Sequence, residues 1–245
     1  MLLLKGKTAV VTGCLRGIGR AALETFAKNG ADVFACCQRE DERFAEYVLE
    51  LSGNCGVSIT PVYFDLLDED AVKEGAKFIQ KSKKSIDILV NVAGANFDAL
   101  FHMVTMEQMK RTFAVNLFSQ ILFAQYITRL MLKGGGSGSV INISSISALD
   151  GNPGQLSYAS SKAALIAATK TMSSELAPKD IRVNALAPGV IKTAMTDTLP
   201  EDIRSRMISK SELKRIGLPG EVAGAILYLE LTAALDRRGG FRTCC

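Results

Sequence analysis

The sequence predicts an α/β domain built on a parallel sheet with helices on both faces. Short apolar, β-branched runs alternate along the chain with segments of helical apolar spacing. A turn holding three glycines joins the first run to the first helical segment. Strands that alternate with helical crossovers pair in parallel and are covered on both sides. At 245 residues the chain can bury a substantial core, and α/β folds of this size are often single, so one domain over 1–245 is expected.

Thr8 to Thr12 reads as the first strand and Ile18 to Lys28 as the first helix. Ala31 to Cys37 repeats the strand pattern, and Glu40 to Leu51 is an amphipathic helix closed by Ser52-Gly53-Asn54. Val57 to Phe64 is a third strand and Asp68 to Lys83 a third helix with an outer charged face. A fourth strand spans Ile86 to Val92, and the capping box Thr105-Met106-Glu107-Gln108 opens one long helix ending near Lys133. Gly134 to Gly138 is a loop, Val140 to Ile143 a fifth strand, Tyr158 to Ala177 a helix, and Ile181 to Ala187 a sixth strand before Pro188-Gly189. No internal repeat or low-complexity segment interrupts the pattern.

Composition removes several function classes. Hydrophobic residues at 48% and charged residues at 22% fit a folded globular chain. The net charge of +4 comes without a dense Lys/Arg block, which argues against nucleic acid as partner. No stretch reaches the roughly 20 apolar residues of a membrane span, and Met1 to Leu4 is too short for a signal-peptide core. The six cysteines show no C-x-x-C spacing and there is one His, so no metal site is expected, and a reducing cytoplasm suits the chain. Cys36 and Cys37 read as buried packing.

Ligands of parallel sheets sit at the carboxyl ends of the strands. There the sequence carries Gly13-Cys14-Leu15-Arg16-Gly17-Ile18-Gly19. Backbone without Cβ turns tightly and approaches a pyrophosphate, and the following helix offers free N–H groups, so Gly13, Arg16, Gly17, Ile18 and Gly19 are candidate nucleotide-binding residues. Tyr158 and Lys162 stand four apart in a helical stretch, one turn apart on one face. An adjacent ammonium is expected to stabilise the phenolate and lower the tyrosine pKa from about 10 toward a working acid/base value.

This glycine turn, followed in order by Asn91-Val92-Ala93-Gly94, Ser145, Tyr158-x-x-x-Lys162 and Pro188-Gly189, resembles the short-chain dehydrogenase/reductase family from about Leu4 to Val222. Arg16-Gly17-Ile18-Gly19, Gln155 and Arg215-Ile216-Gly217 look most like 3-oxoacyl-[acyl-carrier-protein] reductases of fatty acid biosynthesis and related carbonyl reductases. The resemblance implies a doubly wound Rossmann fold and hydride transfer between a nicotinamide cofactor and a carbonyl or alcohol substrate. Tyr158 would then protonate the substrate oxygen, and Lys162 would hold the nicotinamide ribose and tune Tyr158. Ser145 would stabilise charge on the carbonyl oxygen, with Ser144 competing for that role; the thirteen-residue separation from Tyr158 favours Ser145. Asn116 matches the family residue that relays protons through water to the lysine. The resemblance also assigns Asp65 to the adenine, Asn91 and Gly94 to the cofactor cleft, and Pro188, Gly189 and Thr193 to the nicotinamide carboxamide.

At the end of the second strand an acidic residue would bind the ribose of NAD and repel a 2′-phosphate. Here Cys37 occupies that point, with Arg39 two residues on and Arg16 in the turn, so NADP(H) is the expected cofactor. Ala194 to Lys214 is expected to be a substrate lid. His102, in the loop before the fourth helix, reads as a surface histidine in preference to a substrate contact, and Lys179 as either a solvated charge or a contact for an acidic carrier protein. A dimer or tetramer is expected.

The C-terminus departs from the family, whose members close on a strand reading T-G-x-x-x-x-x-D-G-G. From Leu229 onward this chain lacks the β-branched run, which predicts an atypical tail, an uncovered sheet edge, and weakened assembly. Two other readings follow: a sugar or steroid alcohol dehydrogenase, and a catalytically weakened nucleotide-binding relative.

Overall fold

The computed structural model describes residues 2–197, 201, 205, 208–209, 211, 213–232 and 241–244. Seven strands form one sheet in the order β3-β2-β1-β4-β5-β6-β7. They are β1 (Thr8–Thr12), β2 (Asp32–Cys37), β3 (Ile59–Tyr63), β4 (Ile88–Asn91), β5 (Gly138–Ile143), β6 (Ile181–Pro188) and β7 (Phe241–Cys244). Every neighbouring pair is parallel. The order reverses between β1 and β4, which opens a crevice at the carboxyl ends of those strands.

Side-chain alternation along each strand feeds two cores. In β1 and β2, Ala9, Val11, Val33, Ala35 and Cys37 join the core under α1 (Gly17–Lys28), α2 (Glu42–Cys55) and α9 (Pro219–Leu231). Val10, Phe34 and Cys36 point the other way. There they meet α3 (Glu69–Lys81) and α5 (Ser119–Lys133), and α7 (Leu156–Leu176) closes the same face through Met172 and Leu176. The Phe64 and Phe123 rings, 5.0 Å apart, fill the space between sheet and α5. Local chemistry sets the helix ends: Asp41 accepts from the Phe44 N–H at 2.8 Å to start α2, and Asp68 from the Ala71 N–H at 3.0 Å to start α3.

Three sequence expectations change. The helix opened by Thr105 does carry its capping box, but it is not continuous. α4 (Met106–Phe113) passes through a π-turn at Ala114–Phe118 before α5. A π-turn adds one residue to a single turn, a phase shift that a short segment rich in apolar residues on several faces does not display. The sixth strand's far edge is not uncovered: β7 pairs with β6 from Ala185↔Phe241 to Pro188↔Cys244. Strand pairing uses backbone N–H and C=O groups, so a tail without a β-branched run can still dock. Residues 233–240 of that tail lie outside the described residues, as does much of the expected lid. Gly138 belongs to β5 rather than to the preceding loop, and the sequence pattern does not show α6 (Ser147–Asp150), α8 (Ala194–Asp197) or α9.

Candidate active site

The glycine turn runs from the end of β1 into α1 along the crevice. Gly13 and Gly17 have φ of +74° and +59°, in the left-handed region that favours glycine. A Cβ on Gly19 would lie 2.2 Å from the Gly13 carbonyl oxygen, so only glycine lets the helix meet the turn this closely. Thr12 then ties β1 to the loop after β4, its hydroxyl accepting from the Val92 and Ala93 N–H groups at 2.9 and 3.1 Å. The resulting cleft has a volume of about 740 Å³ and is lined by the turn, the ends of β2 and β3, residues 92–95, Ser145, Tyr158, Lys162 and the segment after β6.

Of the sequence-predicted residues, Gly13, Arg16, Gly17, Ile18, Gly19, Arg39, Asp65, Gly94, Ser145, Tyr158, Lys162, Pro188, Gly189 and Thr193 line this cleft. Asn91 does not. It is fully buried and donates to Asn142 Oδ1 at 2.9 Å, which in turn bonds Thr169, so its side chain joins β4, β5 and α7 rather than facing a ligand. Asn116 stands behind the wall, pointing where the π-turn aims it. Its amide accepts from the Ala95 N–H at 2.8 Å and donates to the Ala95 carbonyl at 2.8 Å and to Ser161 Oγ at 3.0 Å. These bonds make it a brace for the loop after β4. A Cβ on Gly94 would meet Asn116 Oδ1 at 3.2 Å and Lys162 Nζ at 3.4 Å, so the missing side chain keeps those two groups close.

Ser144 and Ser145 separate clearly. Ser144 Oγ donates to the backbone carbonyl of Lys162 at 2.9 Å and anchors β5 to α7. Ser145 Oγ accepts from the Ser147 N–H at 3.2 Å and lies in the same cleft as Tyr158. Lys162, almost completely buried, donates from Nζ to the Ile143 carbonyl at 2.8 Å. Burial pulls its pKa down to about 8. Tyr158 departs from the sequence expectation: its pKa is raised, by burial first, with the neighbouring Ser145 hydroxyl lowering it and the Asp98 charge raising it. The hydrogen bond of the Lys162 ammonium goes to the Ile143 carbonyl, and desolvation dominates at the phenol.

At the outer end, Arg16 and Arg39 are exposed and enter no ion pair among the described residues. A carboxylate, Asp41, also reaches this wall, but it serves as the cap of α2. Asp65 accepts from Gln38 at 3.0 Å and from the Leu67 N–H at 2.9 Å, which fixes the floor beside β3. Gln38 and Thr12 carry no motif, although a threonine ending a strand just before a glycine turn is a usable signal. The thiols of Cys14, Cys36 and Cys37 are buried and shifted up, Cys37 to about 12, so they pack as apolar groups.

The residues present fit a dinucleotide: glycines where a Cβ would block the turn, Arg16 and Arg39 at one end of the cleft, and a Ser-Tyr-Lys group at the other. A family model described as short chain dehydrogenase matches residues 7–204. The chain is 40% identical over 226 residues to the 3-oxoacyl-[acyl-carrier-protein] reductase of Thermotoga maritima, covering 92% of this chain and 91% of that one. Among solved structures it is similar to one described as an NAD(P)-dependent gluconate 5-dehydrogenase from Beutenbergia cavernae with bound NADP (TM-score 0.89, 29% identity, 98% and 97% of the two chains). Another is described as a 2-deoxy-D-gluconate 3-dehydrogenase from Agrobacterium tumefaciens with bound NADP (TM-score 0.85, 30% identity, 97% and 94%). Among the described residues, no helix is long and apolar enough to cross a membrane.

Proposed function

This chain belongs to the short chain dehydrogenase family, and we propose that it is a cytoplasmic NADP(H)-dependent reductase of a carbonyl substrate, a 3-oxoacyl thioester carried on an acyl carrier protein. The observation that carries this reading is that Ser145, Tyr158 and Lys162 line the same cleft as Arg16 and Arg39. Gly13, Gly17 and Gly19 would receive the pyrophosphate, Arg16 and Arg39 the 2′-phosphate, Asp65 the adenine end, and Pro188, Gly189 and Thr193 the nicotinamide end. When bound there, the reduced cofactor supplies a hydride. Tyr158, protonated because burial raises its pKa, gives the substrate oxygen its proton. Ser145 lies beside that hydroxyl and offers a hydrogen bond to the same oxygen. The ammonium of Lys162, held by Ile143, favours negative charge on Tyr158 once the proton has left. Asn116 holds Ala95 in place and acts on the site through that loop.

The names of the curated relatives favour the thioester, while the two gluconate-type structural neighbours support a sugar-acid dehydrogenase as the second reading. Initial rates with 3-oxoacyl thioesters and with keto-sugar acids, each with NADPH and NADH, distinguish them. Turnover of the thioester with NADPH, abolished by Tyr158→Phe, is the expected result. Unchanged turnover in that variant overturns the catalytic assignment and leaves a nucleotide-binding protein. Assembly as a homodimer or homotetramer belongs to the same proposal and is read by light scattering.

A further inference from the structure

Arg20 belongs to none of the roles assigned above, yet it is the most heavily engaged cation near the cleft. Its Nε donates to the Cys14 carbonyl at 3.3 Å and its Nη2 to the Leu15 carbonyl at 3.0 Å. The guanidinium lies 4.1 Å from the Tyr47 ring centroid and 5.1 Å from that of Phe44. Tyr47 is itself held, donating from its hydroxyl to Glu24 at 2.6 Å. Arg20 is therefore fixed between α1 and α2 behind the glycine turn.

In a trans peptide the C=O and the next N–H point in opposite directions, and no peptide bond among the described residues is cis. Drawing the Cys14 and Leu15 carbonyls back onto Arg20 turns the Leu15 and Arg16 N–H groups the other way, and both residues line the cleft. Neither N–H has a protein partner among the described residues, whereas the Cys14 N–H is used by Cys36. We infer that Arg20 is a positioning residue for the cofactor: its two-carbonyl clamp presets the Leu15 and Arg16 amides as donors to the phosphates of a dinucleotide. This rests on the reading of the cleft as a dinucleotide site, not on the preference for NADP, because the pyrophosphate is common to both cofactors. Lysine cannot reproduce the clamp, since a single ammonium lacks the planar fork that spans two carbonyls.

Fluorescence titration with NADPH and NADH of wild-type, Arg20→Met and Arg20→Lys proteins tests it, together with thermal melts and kcat at saturating cofactor. The expected result is a rise in Kd of about tenfold to a hundredfold for both nucleotides in both variants, the scale of one hydrogen bond to a charged group, because the two amides are misaimed rather than removed, with kcat changed by about twofold or less. Full recovery in Arg20→Lys overturns the inference and makes Arg20 a simple charge. A lowered melting temperature with unchanged Kd overturns it as well, leaving a packing role. If Arg20→Met does not fold, Tyr47→Leu removes the nearer of the two rings beside the guanidinium together with the bond to Glu24, leaves Arg20 in the chain, and is read in the same way. Wild-type protein that binds neither nucleotide refutes the dinucleotide reading itself, a result separable from variants that bind as well as wild type.

Discussion

Gly19→Ala is the sharpest test of how the cleft is built, because two opposing effects of known size meet at one atom. Alanine has the better helix propensity, by about 0.8–1 kcal/mol in a helix interior. Gly19 lies in the first turn of α1, where that gain is smaller. Against it, the new Cβ would stand 2.2 Å from the Gly13 oxygen, 2.6 Å from its carbon and 3.0 Å from the Thr12 oxygen, all backbone atoms. Relief requires a shift of about 1 Å in the turn, and Gly13 cannot retreat freely, since the space where its own Cβ would be already lies 3.1 Å from Ala93. Overpacking of this kind costs about 1–3 kcal/mol, so the expected net loss is about 2 kcal/mol. For a chain of this length that is a fall in Tm of about 4–8 °C. The displaced turn should also weaken NADPH binding by about tenfold, equivalent to about 1.4 kcal/mol. Because the chain has no Trp, unfolding is followed by circular dichroism and binding by cofactor fluorescence. Gly224→Ala in α9 is the control: nothing lies within 4 Å of its Cβ position, so it should stabilise by up to about 1 kcal/mol. A Gly19→Ala protein with wild-type Tm and Kd would refute the steric argument.

Lys162, shifted down to about 8 by burial, should make kcat/KM for reduction level below pH 8 and falling above it, as the ammonium is lost while Tyr158 stays protonated; a flat profile to pH 10 contradicts this. The same shift links to stability. Below about pH 8 both folded and unfolded states carry the lysine charge and the burial cost is full; between 8 and the ordinary value of 10.5 the folded state loses its proton first. Wild type should therefore gain stability relative to Lys162→Met as pH rises from 8 to 10, measured by urea melts at each pH. Arg182 donates to the Leu229 and Glu230 carbonyls at 2.6 Å each, closing the end of α9. Arg182→Met should cost about 1–3 kcal/mol through unsatisfied carbonyls, read from the urea midpoint. Asp68→Ala removes the α3 cap and should cost about 1 kcal/mol in the same assay.

The strand and helix alternation, the parallel sheet and the glycine turn were all legible in the chain, because periodicity of two or of 3.6 and the need for glycine at a tight turn are local properties. The Ser145, Tyr158 and Lys162 group was legible as a spaced motif that the folded chain brings to one cleft. What tertiary structure alone decided depends on neighbours distant in sequence. Asn91 turned to Asn142 because a buried amide takes the nearest partner on the adjacent strand. The π-turn that seats Asn116 against Ala95 is a local change of hydrogen-bond pattern within a segment that reads as one helix from its sequence. Tyr158 rises in pKa because the folded chain buries its phenol, a desolvation cost that the helical spacing to Lys162 does not reveal. The last strand docks through its backbone, which no side-chain pattern encodes. Propensity and spacing are written residue by residue, whereas desolvation and hydrogen-bond choice depend on which groups the fold brings together.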